Sequence, residues 1–213
     1  MRTDRIDGPL PDSWAVVFDS AAAVGPFAML NDTRETIGAA LIYLGYSPNS
    51  TDDQELAAAT RLLRAQRSRV LTYAPFATAR DLLASGDVTV AHNYSGDVLM
   101  AQAENEAIEF VIPREGSIIW TDNMAVLRQA PHPRAATVLV NYLLDAEVGA
   151  RLSNFTRSGS PNAAARSFID PELLSDPAFY PDSAVLERLH FLLDLGADRA
   201  KYDRLWTEVR AGA

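Results

Sequence analysis

Three pairs of residues in this chain have types and spacings that suit chemistry on a cationic group. Trp120 and Asp122 lie in the stretch from Gly116 to Val126, which reads as a buried strand. Residues two apart on a strand project to the same face. An indole beside a carboxylate can receive an organic cation, the ring facing the alkyl-ammonium and the acid neutralising it. The alternative is a core tryptophan next to an acid that caps a turn. Asp32 and Glu35 have the D-x-x-E spacing of a capping box at a helix start. One or both could instead point across a strand–helix turn into a cleft, since ligands of open α/β sheets sit beyond the carboxyl ends of strands. Glu35 ranks above Asp32 as a contact, because a capping carboxylate is already engaged. Tyr94 and Asp97 occupy an equivalent turn, Tyr94-Ser95-Gly96-Asp97. Ser95 would cap that helix and Asp97 complement its dipole, or Tyr94 would line a pocket and Asp97 pair with an amine.

Catalytic and metal-binding patterns are missing. His92, His132 and His190 are isolated, and no cysteine is present, so thiolate catalysis, disulfides and Cys-ligated metals are excluded. There is no H-E-x-x-H, G-x-S-x-G, Walker or G-x-G-x-x-G signature. Ser158-Gly159-Ser160 resembles a nucleophile loop only superficially, with no base near it in sequence. The expectation is no enzyme, no catalytic residue, no metal and no cofactor.

The elements that position these residues alternate between strand and helix. Phe27–Leu30 reads as a buried strand, followed by a helix from Asn31–Glu35 to about Leu44, stopped by Gly45. A second helix starts at Thr51–Asp53. Strands are expected at Val70–Tyr73, Val88–Ala91, Ile108–Ile112 and Gly116–Leu127. Helices are expected at Ala77–Ala84, from Tyr94 to about Glu104, and at Ala135–Leu144, Glu147–Phe155, Ser183–Leu195 and Ala197–Ala211. Such alternation predicts an α/β fold with helices on both faces of a mixed sheet.

Composition bounds the rest. The chain has 213 residues, 48% hydrophobic and 22% charged, with a net charge of -9. That is ample for a core; the acidity argues against nucleic-acid binding, which wants a basic face, and is compatible with a cationic ligand. Lys201 is the only lysine. No run of about 18 apolar residues is present to span a membrane, and Met1–Pro11 lacks the apolar centre of a signal peptide.

Several blocks together resemble bacterial polyamine-binding proteins, the spermidine/putrescine receptors of ABC importers. They are Leu44-Gly45-Tyr46-Ser47-Pro48-Asn49-Ser50 with Asp52, Glu55 and Leu56, then Gly116 to Asp122, then Ser160 to Arg166 and Tyr180-Pro181-Asp182. Leu195-Gly196 and the run from Tyr202 to Arg210 complete the set, in family order. The resemblance implies the type II periplasmic binding protein fold, two α/β lobes closing on a ligand. It further implies that Trp120 stacks on the polyamine, Asp122 grips an ammonium, Glu35 and Asp32 face the amines, Tyr94 stands where a tryptophan is usual, and Asp97 matches an acid of putrescine-type members. Ser158 and Leu192 stand where other members carry polar contacts, leaving ligand length and amine spacing open.

On that resemblance the chain divides into an N-terminal arm over 1–12 and a C-terminal-lobe α/β domain over 13–118. A segment over 119–158 would complete an N-terminal lobe, and 159–213 would pack back as helices. On the resemblance, most of the N-terminal lobe and the signal peptide would be missing, so a half-clamp is expected to bind weakly and the returning segment to expose apolar surface. The implied function is the solute-binding component of a polyamine importer, working with permease subunits outside the cytoplasmic membrane; as written, without an export signal, the chain would stay cytoplasmic. A relative tuned to another cationic or amino-acid-like solute is a further option. The alternative function is a lobe that has lost ligand binding and acts as an oligomerising or partner-binding module, as a homo-oligomer or with its missing lobe.

Overall fold

The computed structural model describes residues 1–211. It divides into one unit made of Met1–Ile119 and the chain from Ser183 onward, and a second made of Trp120–Asp182.

In the first unit, α1 (Ala15–Phe18) precedes β1 (Phe27–Leu30), α2 (Thr33–Tyr43), α3 (Asp53–Gln66), β2 (Val70–Ala74), α4 (Phe76–Ser85), β3 (Val90–Ala91), α5 (Ser95–Glu104) and β4 (Ser117–Ile119). All four residues of β1 are buried, as a strand covered on both faces requires. It is the centre of a three-stranded sheet of order β2-β1-β3, parallel on both sides. Phe27 and Met29 pack with α1, α2 and α3, whereas Ala28 packs with α4 and α5. Helices therefore cover both faces of an α/β sheet. This agrees with the expected α/β fold; the ladders are parallel, and an isolated antiparallel bridge joins Arg2 and Ile108.

Helix starts follow local chemistry. Asp32 caps α2 by accepting from the amides of Arg34 and Glu35 at 2.8 and 2.9 Å, and Asp52 caps α3 in the same way. The arm over 1–12 is held: the Arg2 amide donates to Thr89, that of Thr3 to Ala107, and that of Glu109 to Met1. The strand expected at Ile108–Ile112 is reduced to the isolated bridge of Ile108 with Arg2.

The chain returns to the first unit as α9 (Ser183–Leu186), β5 (Leu189–Phe191) and α10 (Arg199–Ala211). The helix expected over Ser183–Leu195 is thus broken by β5, which pairs in parallel with β4, Ile118 opposite His190. Gly116 admits this approach: its φ is +104°, and a Cβ there would lie 2.2 Å from the Arg188 carbonyl oxygen. Beyond β5, the Asn49 side chain holds the Phe191 carbonyl and the Leu193 amide. With its neighbour ended, β4 ends too. The strand expected to run to Leu127 stops at Ile119, and residues 120–129 are exposed coil.

The Tyr202 hydroxyl, on α10, lies 2.7 Å from the Ser50 carbonyl and 3.1 Å from that of Pro48. It pins the α2–α3 turn while Arg34 stacks 4.9 Å above its ring. Tyr202→Phe keeps the ring and loses these bonds. It is expected to cost about 1–2 kcal/mol in a urea denaturation.

The second unit holds α6 (Pro133–Leu143), α7 (Ala146–Thr156) and α8 (Pro171–Ser175). Asp145 caps α7, which packs on the turn of 3-10 helix at Ala163–Phe168. The Asn162 side chain ties that turn to the Leu144 carbonyl at 2.8 Å. No residue of α6 is buried, and Val138, Leu139, Tyr142 and Phe155 are exposed apolar residues. Among the described residues, no helix is long and apolar enough to cross a membrane.

Candidate functional site

The chain leaves β1 towards β2 on one side, and β3 then lies on the other side of β1. Helices after β1 and β3 cover opposite faces, so the loops leaving these two strands part at their carboxyl ends. That divergence is the switch point where open α/β sheets hold ligands. Asp32 and Glu35 follow β1, and His92, Tyr94 and Asp97 follow β3. Four of the six residues singled out in the sequence therefore come to one edge.

Glu35 is the most unusual of them. It is only 7% exposed, and its carboxylate makes no hydrogen bond or ion pair among the described residues. The capping box is half formed: Asp32 caps α2, but Glu35 does not reach back. Burial pushes the Glu35 carboxyl up to about 7, the Asp32 charge adds to this, and Arg34 opposes it. The Tyr94 phenol is held protonated by burial first, and then by the charges of Glu35, Asp32 and Asp97. Burial likewise raises Asp97, against the pull of Arg80. An excess of negative charge thus meets one half-buried ring. Ser95 does not cap α5; its N-cap is Tyr94, with no side-chain cap bond.

His92 closes the inner side of the edge. Its ring meets the Trp14 indole edge-on at 5.1 Å, its Nδ1 has no hydrogen-bond partner, and burial lowers its pKa to about 4. The partly open space beside it, about 80 Å³, is lined by Trp14, Val17, Val98 and Ile112 among others, but by none of Asp32, Glu35 and Asp97. Among the described residues, no group of three or more His, Cys, Asp or Glu is placed to hold a metal.

Trp120 and Asp122 belong to the second unit, beginning one peptide bond beyond β4. The expected pairing of both on one strand face is corrected, because neither lies on a strand. Trp120 is 48% exposed, not a core residue. The hydroxyl of Ser158 lies 2.7 Å from that of Thr156, a local pairing.

The family model for bacterial extracellular solute-binding proteins matches residues 1–181. The chain belongs to that family. Solute-binding relatives include the putrescine/cadaverine-binding protein of Pseudomonas aeruginosa, 34% identical over 210 residues, covering 94% of this chain and 59% of the relative. The spermidine/putrescine-binding periplasmic protein of Escherichia coli is 29% identical, covering 98% of this chain and 60% of the relative. The chain thus spans about 60% of the length of the curated relatives it matches. Among solved structures, the spermidine/putrescine ABC transporter substrate-binding protein PotD of Streptococcus pneumoniae superposes with a TM-score of 0.86 at 23% identity, covering 99% of this chain and 65% of that one. The PotD lipoprotein of Treponema pallidum gives 0.83 at 25% identity, covering 98% and 64%. These relatives are named for binding rather than for a reaction.

Sequence reasoning missed one residue of this edge. Phe76 follows β2 after Pro75, nearly half exposed. An aromatic at the first position of a helix reads as core, and only strand order shows otherwise.

Proposed function

We propose that this chain is the ligand-binding lobe of a polyamine receptor, holding a linear alkyl-amine cation for an ABC importer outside the cytoplasmic membrane. The observation that carries this reading is the buried, unpartnered carboxylate of Glu35 at the switch point, with Asp32, Asp97 and Tyr94 around it. A buried carboxylate left unpaired is costly, and an alkyl-ammonium supplies its missing partner. In this reading Glu35, Asp32 and Asp97 take an amine and Tyr94 lies along the methylenes, while Trp120 and Asp122 are proposed as ligand contacts on the family resemblance. The relatives named for putrescine, cadaverine and spermidine support it. Permease subunits would receive the loaded protein. The exposed apolar residues of the second unit suit a surface that a further lobe covers, and such a lobe would desolvate the amine and strengthen each charged contact.

Calorimetric titration of the chain with putrescine, cadaverine and spermidine at low salt tests this. Saturable binding is expected, weakened roughly three- to tenfold in Asp122→Ala, since an exposed charge contributes modestly. Absence of heat from the unsubstituted chain at millimolar amine would overturn the reading.

A further inference from the structure

Resting on the polyamine reading, we propose that Phe76 is a further ligand-contacting residue of this site, and that it sets preference for the length of the alkyl chain between amines. Phe76 leaves the end of β2 through Pro75, as Asp32 leaves β1 and Tyr94 leaves β3, so all three strands deliver a side chain to one edge. Its ring is 49% exposed and belongs to neither packed core. It stands 6.1 Å from the Tyr94 ring at an interplanar angle of 53°.

The pair is built rather than incidental. The Asn93 side chain spans the two loops, its Nδ2 donating to the Phe76 carbonyl at 2.9 Å and its Oδ1 accepting from the Tyr94 amide at 2.8 Å. One amide side chain thereby fixes the backbone of both aromatic residues. Asp32, Glu35 and Asp97 all act on the Tyr94 phenol electrostatically, so the two rings border the acidic edge.

Rings beside acids divide an alkyl-amine between them: carboxylates take the ammonium, and the ring faces take the methylenes and the adjacent positive charge. Phe76 has no polar atom to bond a second amine. Its contribution therefore grows with the methylenes laid against it, by about fourfold per methylene fully buried, and is small for a compact cation.

The test is the affinity of the full chain for diamines of three, four and five carbons, in the unsubstituted protein, Phe76→Ala, Phe76→Tyr and Glu35→Gln. Phe76→Ala is expected to weaken the five-carbon diamine about tenfold and to flatten the gain with length, with an unchanged thermal midpoint because the ring is half exposed. Phe76→Tyr keeps the ring face and is expected to stay within about twofold. Affinity within twofold for all three diamines in Phe76→Ala, with Glu35→Gln losing binding, would overturn the assignment of Phe76 while leaving the acidic site standing. An equal loss for every diamine would overturn its role in chain length. No saturable binding by the unsubstituted chain would overturn the polyamine reading, and this assignment with it.

Discussion

Glu35→Gln is expected to weaken diamine binding at pH 8 by about 100-fold, the loss of one partner from a buried charge pair. It should also remove a roughly tenfold gain in affinity that the unsubstituted chain shows between pH 6 and pH 8. The carboxyl is buried and pushed up to about 7, so its ionised fraction climbs from about a tenth to about nine tenths across that interval. An alkyl-ammonium, with a pKa near that of lysine, stays charged throughout. Binding favours the ionised acid, so a cation entering near neutral pH expels a proton from Glu35. Titrations in two buffers of different ionisation enthalpy count that proton. A dissociation constant flat from pH 6 to 8, or a slope that survives in Glu35→Gln, would remove Glu35 from the ligand's first contacts.

Much of this arrangement is readable in the residues themselves. Phe27–Leu30 is an uninterrupted apolar run after Gly25-Pro26, and Asp32 two residues beyond it is a cap, so β1 and α2 follow from local chemistry. The acids attract notice because each sits at a strand–helix turn. What local chemistry does not carry is pairing between distant segments. Leu189–Phe191 is apolar enough for helix or strand, and parallel pairing with β4 decides it. Beyond Ile119 the chain meets Asp122 and Asn123, poor strand formers, and β5 ends opposite Ile119, so the strand is not extended. Phe76 looks like core until the order β2-β1-β3 brings the end of its strand beside those carrying Asp32 and Tyr94. Each departure depends on pairing between strands distant in the sequence.

Stability is expected to respond to pH through two opposed groups of the same edge, Glu35 and His92. The folded-state pKa of Glu35 is raised from 4.5 to about 7. Its stabilising contribution is therefore complete below about pH 4.5 and is lost as pH rises through 7. His92 is lowered from 6.5 to about 4; its contribution is complete above about pH 6.5 and is lost as pH falls towards 4. Each is worth up to about 3 kcal/mol, and in the shared window between about pH 4.5 and 6.5 their slopes cancel. Glu35→Gln removes the falling slope, so the variant should gain stability from pH 4.5 to 6.5 and exceed the unsubstituted chain at pH 8 by about 2–3 kcal/mol. In His92→Leu only the falling slope remains, and because Nδ1 has no partner the substitution breaks no hydrogen bond there. Urea denaturation of the three proteins at pH 4.5, 5.5, 6.5 and 8 separates these cases. Parallel curves would mean that neither group titrates differently on folding. Divergence in the stated directions would mean that the chain sacrifices stability near neutral pH to keep an unpaired carboxylate at the switch point, which a binding site for a cation requires and a purely structural edge does not.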